Sequence, residues 1–417
     1  MARMAGGVAG GMLAEGSRQL RAGKQLNARD MLLTPSNARR VADQLATMRG
    51  AAMKVGQMLS MDTGDFLPRE LADILARLRE DARYMPVEQL RGVMEAAYGD
   101  DWESLFYDFD MQPIAAASIG QVHKTVSPDG REIVLKVQYP GVADSIDSDV
   151  DNITSLLRLS GLLPDDLDIQ PLLEDAKAQL KDEADYLQEA KHLEAFGALL
   201  KDDDRFILPE LVPELSHRNV LAMTYVSGEP IDVVATLPQK KRDAVMTAMI
   251  GLVLRELFEL RLMQTDPNFA NYRYRRGDGR IVLLDFGATR KYKAAFANGF
   301  KSLAKAAIAG NEKRMIQAAQ KLGYGVGEEG SEYRAMVLRI FDLVLEPLRE
   351  DEAYDFAASS IAEEMAKMSE NMMDYRDDME APPIDAVFFQ RKLGGMFMLA
   401  TRLKAHVNVH QLMMAWL

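Results

Sequence analysis

Three polar residues in the second half of the chain have the types and the spacing of a phosphoryl-transfer site. Asp266 precedes Asn271 by five residues, and Asp285 opens an Asp-Phe-Gly triplet directly after the apolar residues 281–284. In protein kinases the first Asp serves the attacking hydroxyl, whereas the Asn and the second Asp bind Mg²⁺. We therefore predict that Asp266 is catalytic, that Asn271 and Asp285 hold metal, and that the nucleotide is ATP with Mg²⁺.

A lone lysine, Lys136, lies within residues 132–138, which are mostly aliphatic or β-branched like a strand. Such a lysine is usually an edge-strand residue whose ammonium group reaches solvent. The carboxylates downstream favour another interpretation, a lysine that neutralises the α- and β-phosphates of ATP. Its partner should be an acidic residue on a long helix predicted from Pro171 to about residue 201. We favour Glu189 as this catalytic partner and leave Glu183 open as the alternative.

The glycine-rich loop of protein kinases is missing. Its place before Lys136 is taken by residues 114–123, Ile-Ala-Ala-Ala-Ser-Ile-Gly-Gln-Val-His. Because alanine carries a Cβ atom, this segment cannot approach phosphates as closely as glycine would, and it could also be a small-residue turn between two strands. Residues 219–226 predict a strand that leads into a hinge between two lobes. The predicted nucleotide contacts are Ala115, Ala116, Ala117, Ser118, Gln121, Thr224, Tyr225 and Val226.

These motifs together resemble those of the UbiB family of atypical kinase-like proteins, which includes the mitochondrial ADCK proteins. The alanine-rich loop of the family matches residues 115–122, its KxGQ motif matches residues 54–57, and its ExD motif matches residues 183–185. The sequence Gln-Thr-Asp-Pro-Asn around Asp266 is similar to that found in the ubiquinone-linked mitochondrial branch of the family and in its bacterial relatives. The resemblance covers the chain from about residue 30 to its end.

The resemblance implies a regulatory element as well as a fold. In the family, the helix that carries the KxGQ motif lies over the nucleotide site and covers the place that a protein substrate would use. Lys54 and Gln57 would then face Glu183 and Asp185, although the polar side of such a helix is otherwise expected to be solvated. The resemblance also implies support of ubiquinone biosynthesis, with lipid or quinone precursors and ubiquinone-biosynthesis proteins as partners.

Composition excludes several classes of function. With 63 acidic and 50 basic residues the net charge is -13, which argues against nucleic acid as a partner. The chain has no cysteine, so disulfides, thiolate metal sites and cysteine nucleophiles are excluded. His406 and His410 have helical spacing, but no glutamate stands beside the first as the metalloprotease pattern requires. We expect both histidines to be exposed helix residues.

Neither apolar end of the sequence predicts a membrane-spanning helix. Residues 4–14 are rich in glycine and alanine but fall short of the about 20 residues that a span needs. Residues 388–417 are apolar and rich in methionine. Four basic residues interrupt them, namely Arg391, Lys392, Arg402 and Lys404. We expect an amphipathic helix pair there, peripheral membrane contact through both ends, and a cytoplasmic location at the inner membrane of a bacterium or the matrix side of a mitochondrion.

The predicted fold class is α+β, a helix-rich, two-lobed protein-kinase-like fold with a helical N-terminal extension. Met246, Val253 and Leu257 share one face of a helix predicted at residues 241–260, which would support the loop around Asp266. The predicted divisions are a Gly/Ala-rich segment at 1–30, the helical extension with KxGQ at 31–99, an N-lobe with a helical insert at 100–226, and a helical C-lobe at 227–417.

The leading hypothesis is Mg²⁺-dependent ATP hydrolysis or phosphoryl transfer in support of ubiquinone biosynthesis. One alternative is a protein kinase for Ser or Thr substrates, which the alanine-rich loop and the missing activation segment after Gly287 disfavour. The other is a non-enzymatic scaffold that switches shape with nucleotide while it binds lipid or proteins. The intact Asp266 disfavours the scaffold, because a pure binding protein has no need of that carboxylate.

Overall fold

The structure, a computed structural model, describes residues 84–159, 170–372 and 382–417. The segment 1–30, most of the predicted extension, and both Lys54 and Gln57 lie outside the described residues. The regulatory role of the KxGQ helix therefore stays a prediction.

The described chain divides into two compact units. The first contains the residues up to Ala190 together with Leu211–Tyr225, and the second contains Lys191–Glu210 together with Val226–Leu417. The first unit has one antiparallel sheet of four strands, in the order Ala115–Ala116, Gly120–Val126, Glu132–Gln138 and Val220–Thr224. The second has a four-stranded sheet, in the order Phe206–Ile207, Arg280–Leu283, Tyr272–Arg275 and Glu229–Pro230, and two pairs of short strands.

The helices, in chain order, are α1 Val87–Tyr98, α2 Val142–Leu159, α3 Gln170–Glu183, α4 Tyr186–Leu200, α5 Gln239–Arg255, α6 Ala294–Ile308, α7 Glu312–Lys321, α8 Glu332–Val344, α9 Ile361–Met372, α10 Ile384–Leu403 and α11 Val409–Met414. The strands are β1 Ala115–Ala116, β2 Gly120–Val126, β3 Glu132–Gln138, β4 Phe206–Ile207, β5 Val220–Thr224, β6 Glu229–Pro230, β7 Leu262–Gln264, β8 Tyr272–Arg275, β9 Arg280–Leu283, β10 Thr289–Lys291, β11 Tyr354–Asp355 and β12 His406–Val407.

Strand β3 is the central strand of the first unit and carries Lys136. It pairs with β2 and β5 so that Lys136 lies opposite Val122 on one side and Leu221 on the other. Three apolar side chains of β3 belong to a core that also contains residues of α1 and several aromatic rings: Ile133, Leu135 and Val137. Because successive side chains of a strand point to opposite faces, Lys136 lies on the face away from this core.

The single long helix predicted from Pro171 is broken in the structure into α3 and α4, with Ala184 and Asp185 between them. Asp185 is the N-cap of α4, since its Oδ1 accepts hydrogen bonds from the N–H groups of Leu187 at 3.1 Å and Gln188 at 3.2 Å. An Asp followed by Gln three residues later has the spacing of a capping box. The prediction was wrong because it followed helical periodicity and overlooked this start signal.

Helix α5 supplies buried support in the second unit, as predicted for residues 241–260. It is followed by a π-helical turn, Glu256–Leu260, and then by Arg261 with a φ of 52°. This left-handed residue ends the helix and turns the chain into β7. Strand β7 pairs with β10 so that Gln264 lies opposite Thr289.

The C-terminal segment is part of the core of the second unit. Helix α10 buries both apolar and basic side chains: Phe388, Phe389, Arg391, Lys392, Met396, Leu399 and Leu403. Residues 388–417 thus form two helices, as predicted, but two of the basic residues that interrupt the apolar segment, Arg391 and Lys392, are buried in the second unit. Peripheral membrane contact through this segment stays a prediction. Among the helices of the described residues, none combines the length and the apolar character that crossing a membrane requires.

The prediction of exposed helix residues was wrong for His406 and, in exposure alone, for His410. His406 lies in β12, and its Nε2 is 3.4 Å from Oδ2 of Asp355. His410 lies in α11, where it is half-buried and its Nδ1 is 2.7 Å from the carbonyl oxygen of Leu348. Their spacing in the sequence concealed the strand that separates the last two helices.

Candidate functional site

Lys136 and Glu189 form an ion pair inside the first unit. The Lys136 Nζ donates hydrogen bonds to both carboxylate oxygens, at 3.0 and 2.8 Å. The two side chains are only 9% and 2% exposed. The lysine ammonium also lies 5.2 Å from the ring centroid of Tyr186. The favoured partner of Lys136 is thus its partner in the structure, and the contact with both oxygens fixes the direction of the lysine side chain.

We expect Lys136→Met to destabilise the protein by about 3–5 kcal/mol, because the substitution leaves the carboxylate of Glu189 buried without its cation. Urea denaturation followed by circular dichroism measures this free energy of unfolding. Lys181→Met is the matched control, since Lys181 pairs with Asp147 while half of each side chain is exposed. Its unfolding midpoint should stay near that of the parent protein. Equal losses in the two variants would contradict a special contribution from the buried pair.

The alanine-rich loop forms the hairpin of β1 and β2, in which Ala115 lies opposite Val122. The turn is closed by a hydrogen bond of 2.9 Å from the Ala117 N–H to the carbonyl oxygen of Gly120. At its tip, the Ser118 hydroxyl donates to Oε2 of Glu183 at 3.1 Å. The loop is therefore tied to the first acidic residue of the ExD motif. The nucleotide contacts predicted for Ala115, Ala116, Ala117 and Ser118 stay predictions.

Gly120 allows the hairpin to lie close to the neighbouring strand and to α4. A Cβ atom at this position would be 2.3 Å from the carbonyl oxygen of Val137 and 2.9 Å from the hydroxyl of Tyr186. The contact with Val137 involves backbone, which cannot move aside cheaply. The one glycine of the alanine-rich loop is thus required by packing within the first unit.

Gln121 is a structural residue, which corrects its predicted contact with nucleotide. Its side chain is fully buried. Its Oε1 accepts from the Met85 N–H at 2.7 Å, and its Nε2 lies 2.8 Å from Nε2 of His123. The other ring nitrogen of His123 donates to the carbonyl oxygen of Asp110, and burial lowers the pKa of His123, so the ring is neutral and accepts from Gln121. Gln121 lies opposite Val137, on the face of the sheet away from Lys136.

The predicted hinge residues are only partly available for an adenine ring. Thr224 is the last residue of β5 and lies opposite Ile133. The Tyr225 N–H donates to the carbonyl oxygen of Glu132 at 2.9 Å, so this donor is already engaged in the first unit. Val226 begins the second unit. The three contacts stay predictions, and that of Tyr225 is restricted to its carbonyl oxygen.

Asp266 and Asn271 are joined directly in the second unit, within the catalytic loop, which we define as residues 265–271. Oδ2 of Asp266 accepts from Nδ2 of Asn271 at 3.0 Å, and its Oδ1 accepts from the Asn268 N–H at 3.2 Å. The Asn268 side chain in turn caps a short 3₁₀ turn, Phe269–Asn271. Both oxygens of the Asp266 carboxylate therefore have donors that fix its orientation.

The same loop brings Asp285 beside Asn271. The Leu284 N–H donates to the carbonyl oxygen of Asn271 at 3.1 Å, and Oδ1 of Asp285 accepts from the Gly287 N–H at 3.0 Å. Because Nδ2 of Asn271 is directed to Asp266, its amide oxygen is left to act as a ligand. Carboxylate and amide oxygens suit Mg²⁺, which commonly takes one or two carboxylates together with phosphate oxygens. Within the described part of the chain, no three His, Asp, Glu or Cys residues form a metal cluster on their own.

Beneath the catalytic loop lies a buried polar cluster that the sequence analysis missed. Lys392 of α10 is 2% exposed, and its Nζ donates to Oε1 of Gln264 and to the hydroxyl of Tyr272, both at 2.9 Å. The Lys392 ammonium also lies 4.0 Å from Oε2 of Glu256. Together with Asn271 and Asp285, these residues line a small cavity. The only signal of this cluster in the sequence is a lysine within an apolar segment, where a charge normally indicates a solvated interruption.

Burial governs the charges in this cluster. It raises the pKa of Glu256 to about 7, against the opposing effects of Lys392 and of a hydrogen bond from the Gln264 backbone. Burial also acts to lower the pKa of Lys392, but Glu256 and Tyr272 outweigh it and the pKa of Lys392 is raised. Lys392 therefore keeps its charge at neutral pH, and its ammonium remains a full hydrogen-bond donor.

Helix α4 also reaches the Asp-Phe-Gly triplet within the second unit. The ring of Phe196 lies 4.8 Å from the ring of Phe286, centroid to centroid. Nδ1 of His192 is 3.3 Å from the carbonyl oxygen of Phe286. The later turns of α4, from Lys191 onward, thus contact the middle residue of the triplet within the second unit.

Comparison with known proteins identifies the family. Residues 77–319 match the ABC1 atypical kinase-like domain. A Caenorhabditis elegans protein named "Atypical kinase coq-8, mitochondrial" is 37% identical over 415 residues, which are 97% of this chain and 55% of that protein. "Atypical kinase COQ8, mitochondrial" of Saccharomyces cerevisiae is 35% identical over 98% of this chain and 82% of its own length.

The chain spans 55% and 65% of the lengths of the nematode relative and of a Danio rerio relative named "Atypical kinase COQ8B, mitochondrial". Among solved structures, Rv3197 of Mycobacterium tuberculosis, determined in complex with erythromycin, has a TM-score of 0.64 and 25% sequence identity. The similarity covers 91% of this chain and 96% of that protein. These matches confirm the predicted α+β, kinase-like fold.

Proposed function

Because the chain belongs to the ABC1 atypical kinase-like family, the family that its motifs resemble under the name UbiB, we propose that it is an Mg²⁺-dependent ATPase or atypical kinase. The observation that carries the proposal is the linked geometry of Asp266, Asn271 and Asp285 in the second unit. The Asp266 carboxylate is oriented by two donors, and the same loop is hydrogen-bonded to the segment that carries Asp285, whose carboxylate together with the amide oxygen of Asn271 suits Mg²⁺.

Each of these residues has a distinct task in the proposed reaction. Lys136, directed by Glu189, would hold the α- and β-phosphates, and the amide oxygen of Asn271 and the carboxylate of Asp285 would hold Mg²⁺. When bound, Mg²⁺ would neutralise charge on the β- and γ-phosphates. Asp266 would accept the proton of the nucleophile, which is water or a hydroxyl group, as that nucleophile attacks the γ-phosphorus. The bond from the γ-phosphorus to the β,γ-bridging oxygen would break in the same displacement, and ADP would leave with that oxygen.

The segment after Asp-Phe-Gly favours a small acceptor over a protein substrate. Only residues 288–293 separate Gly287 from the start of α6, and three of them form β10. This strand pairs with β7, so the segment is part of a ribbon rather than a long loop. Protein kinases use a longer, Ser/Thr-bearing activation segment in this place. We therefore favour water or a small hydroxyl compound as the phosphoryl acceptor.

The biological role that we propose is support of ubiquinone biosynthesis. The support comes from the COQ8 relatives, together with the motifs in residues 54–57, 115–122 and 183–185. Quinone precursors, lipid and other ubiquinone-biosynthesis proteins would be the partners. The working location would be the bacterial inner-membrane surface or the matrix side of a mitochondrion.

Rescue of a yeast strain that lacks its own COQ8 tests this role. The chain, fused to a mitochondrial leader, should restore ubiquinone measured by mass spectrometry of lipid extracts. The same fusion protein carrying Asp266→Asn is the matched control, since it should reach the same protein level and restore no ubiquinone. Equal ubiquinone from both fusion proteins would mean that rescue does not need phosphoryl transfer. No ubiquinone from either, with both proteins present in the mitochondria, would oppose the proposed role.

A further inference from the structure

We propose that helix α10 is a brace that positions the catalytic loop, and that Lys392 and Gly395 are its two positioning residues. The inference rests on the proposed function, because it assigns the brace to the same reaction. Helix α10 begins at Ile384, well beyond residue 319, where the match to the kinase-like domain ends. The brace is therefore supplied by a part of the chain outside the matched domain.

Lys392 joins the two ends of the catalytic loop. Gln264 stands two residues before Asp266, and Tyr272 directly follows Asn271. One buried ammonium donates to the side chains of both, each at 2.9 Å. Since these two residues directly flank the loop, their common donor fixes the separation of its ends, and with it the place of Asp266 relative to Asn271.

Gly395 holds the middle of the same loop one helical turn further on. A Cβ atom at Gly395 would lie 2.4 Å from Cβ of Pro267 and 3.3 Å from its Cα. Pro267 directly follows Asp266, so any side chain at Gly395 would push on the residue that is bonded to the catalytic aspartate. The absence of a side chain lets the helix backbone lie against the loop.

A third contact attaches the first turn of α10 to the segment after Asp-Phe-Gly. Oδ1 of Asp385 accepts from Nε of Arg290 at 3.0 Å, and the carbonyl oxygen of Asp385 accepts from the hydroxyl of Tyr292 at 3.2 Å. The guanidinium of Arg290 also lies 4.7 Å from the ring centroid of Phe388. One helix thus contacts both ends of the catalytic loop, its middle, and the strand that follows Asp285.

A brace acts on the geometry of the reacting groups, so its loss should lower kcat more than it weakens nucleotide binding. Displacement of catalytic groups by about 1 Å can cost roughly 10²-fold in rate. For Lys392→Met we expect kcat for ATP to fall at least about ten-fold, with KM for MgATP within about three-fold of the parent value. Gly395→Ala should likewise lower kcat while it leaves KM for MgATP nearly unchanged.

Two further variants separate positioning from general stability. Gly394→Ala is the matched control for Gly395→Ala, because a Cβ atom at Gly394 meets nothing within 4 Å; its kcat should stay at the parent value. Lys392→Met combined with Glu256→Met also removes the buried carboxyl group that Lys392→Met alone would leave without its neighbouring cation. The double variant should recover thermal stability while kcat stays low. Recovery of kcat together with stability would overturn the proposal, as would an unchanged kcat in Lys392→Met.

Hydrogen exchange keeps this test independent of the proposed activity. In the parent, the Thr265 N–H donates to the carbonyl oxygen of Ala288, and the Leu284 N–H donates to Asn271. Both amides should exchange at least about ten-fold faster in Gly395→Ala than in Gly394→Ala, whether or not the protein turns over ATP. Equal exchange in the two variants would refute the brace. A parent protein that shows no ATP turnover would refute the proposed function alone.

Discussion

Asp266→Asn should lower ATP turnover by about 10²–10⁴-fold while MgATP still binds, because a positioned general base contributes a factor of that order. In the structure the Asp266 carboxylate accepts from Asn271 through one oxygen and from Asn268 through the other. An amide keeps the size of the side chain and one acceptor. It cannot take the proton of the attacking hydroxyl, so the loss should fall on the chemical step.

Single-turnover ATP hydrolysis measures the chemical step, and a thermal-shift titration with MgATP measures binding. Asp278→Asn is the matched control. Asp278 is exposed in the turn between β8 and β9, where it accepts hydrogen bonds from the side chain of Arg275 and from the N–H of Arg280. This variant should retain the parental turnover. A normal rate in Asp266→Asn would remove Asp266 from the mechanism, and equal losses in both variants would point to an effect of charge at a distance.

Asp285→Asn should abolish the stabilisation of the protein by MgATP. An asparagine can still accept from the Gly287 N–H, as Asp285 does at 3.0 Å, so the turn should survive. The negative charge for Mg²⁺ is lost. At a ligand concentration of about 100 times the dissociation constant, binding stabilises a protein by about 2.7 kcal/mol, which a thermal shift readily detects.

The titration should be run with ATP in the presence of Mg²⁺ and again in the presence of EDTA. The parent should gain stability mainly with Mg²⁺, whereas Asp285→Asn should show the same small shift in both conditions and the same melting temperature without nucleotide. If MgATP stabilises the variant as well as it does the parent, Asp285 is not the principal metal ligand.

The elements closest to the chemistry could be predicted because their signals are local. The aliphatic run around Lys136 predicts β3, and the spacing from Asp266 to Asn271 predicts the loop that joins their side chains. The partner of Lys136 could also be predicted from the sequence. A kinase pattern requires an acidic residue on the following helix, and Glu189 fulfils that requirement in the structure.

The failures arose where a short-range signal was overlooked or where the partners are distant in sequence. The capping-box spacing of Asp185 and Gln188 was legible, but helical periodicity concealed it. The burial of Gln121 depends on its register with Val137 and on Met85, which no pattern within β2 reveals. Lys392 donates to residues more than 100 positions earlier in the chain. Because no local pattern shows these acceptors, the sequence predicts a solvated charge that interrupts an apolar segment, whereas the structure has a buried hydrogen-bond donor.

The short segment between Gly287 and α6 also limits how this protein can be switched on. Its hydroxyl groups are Thr289 and Tyr292, and both already donate inside the second unit, the first to the carbonyl oxygen of Phe286 at 2.6 Å and the second to that of Asp385 at 3.2 Å. A phosphate on either would break a bond that holds the ribbon, instead of ordering a disordered loop. Within residues 288–293 we therefore do not expect covalent activation of the kind that many protein kinases use.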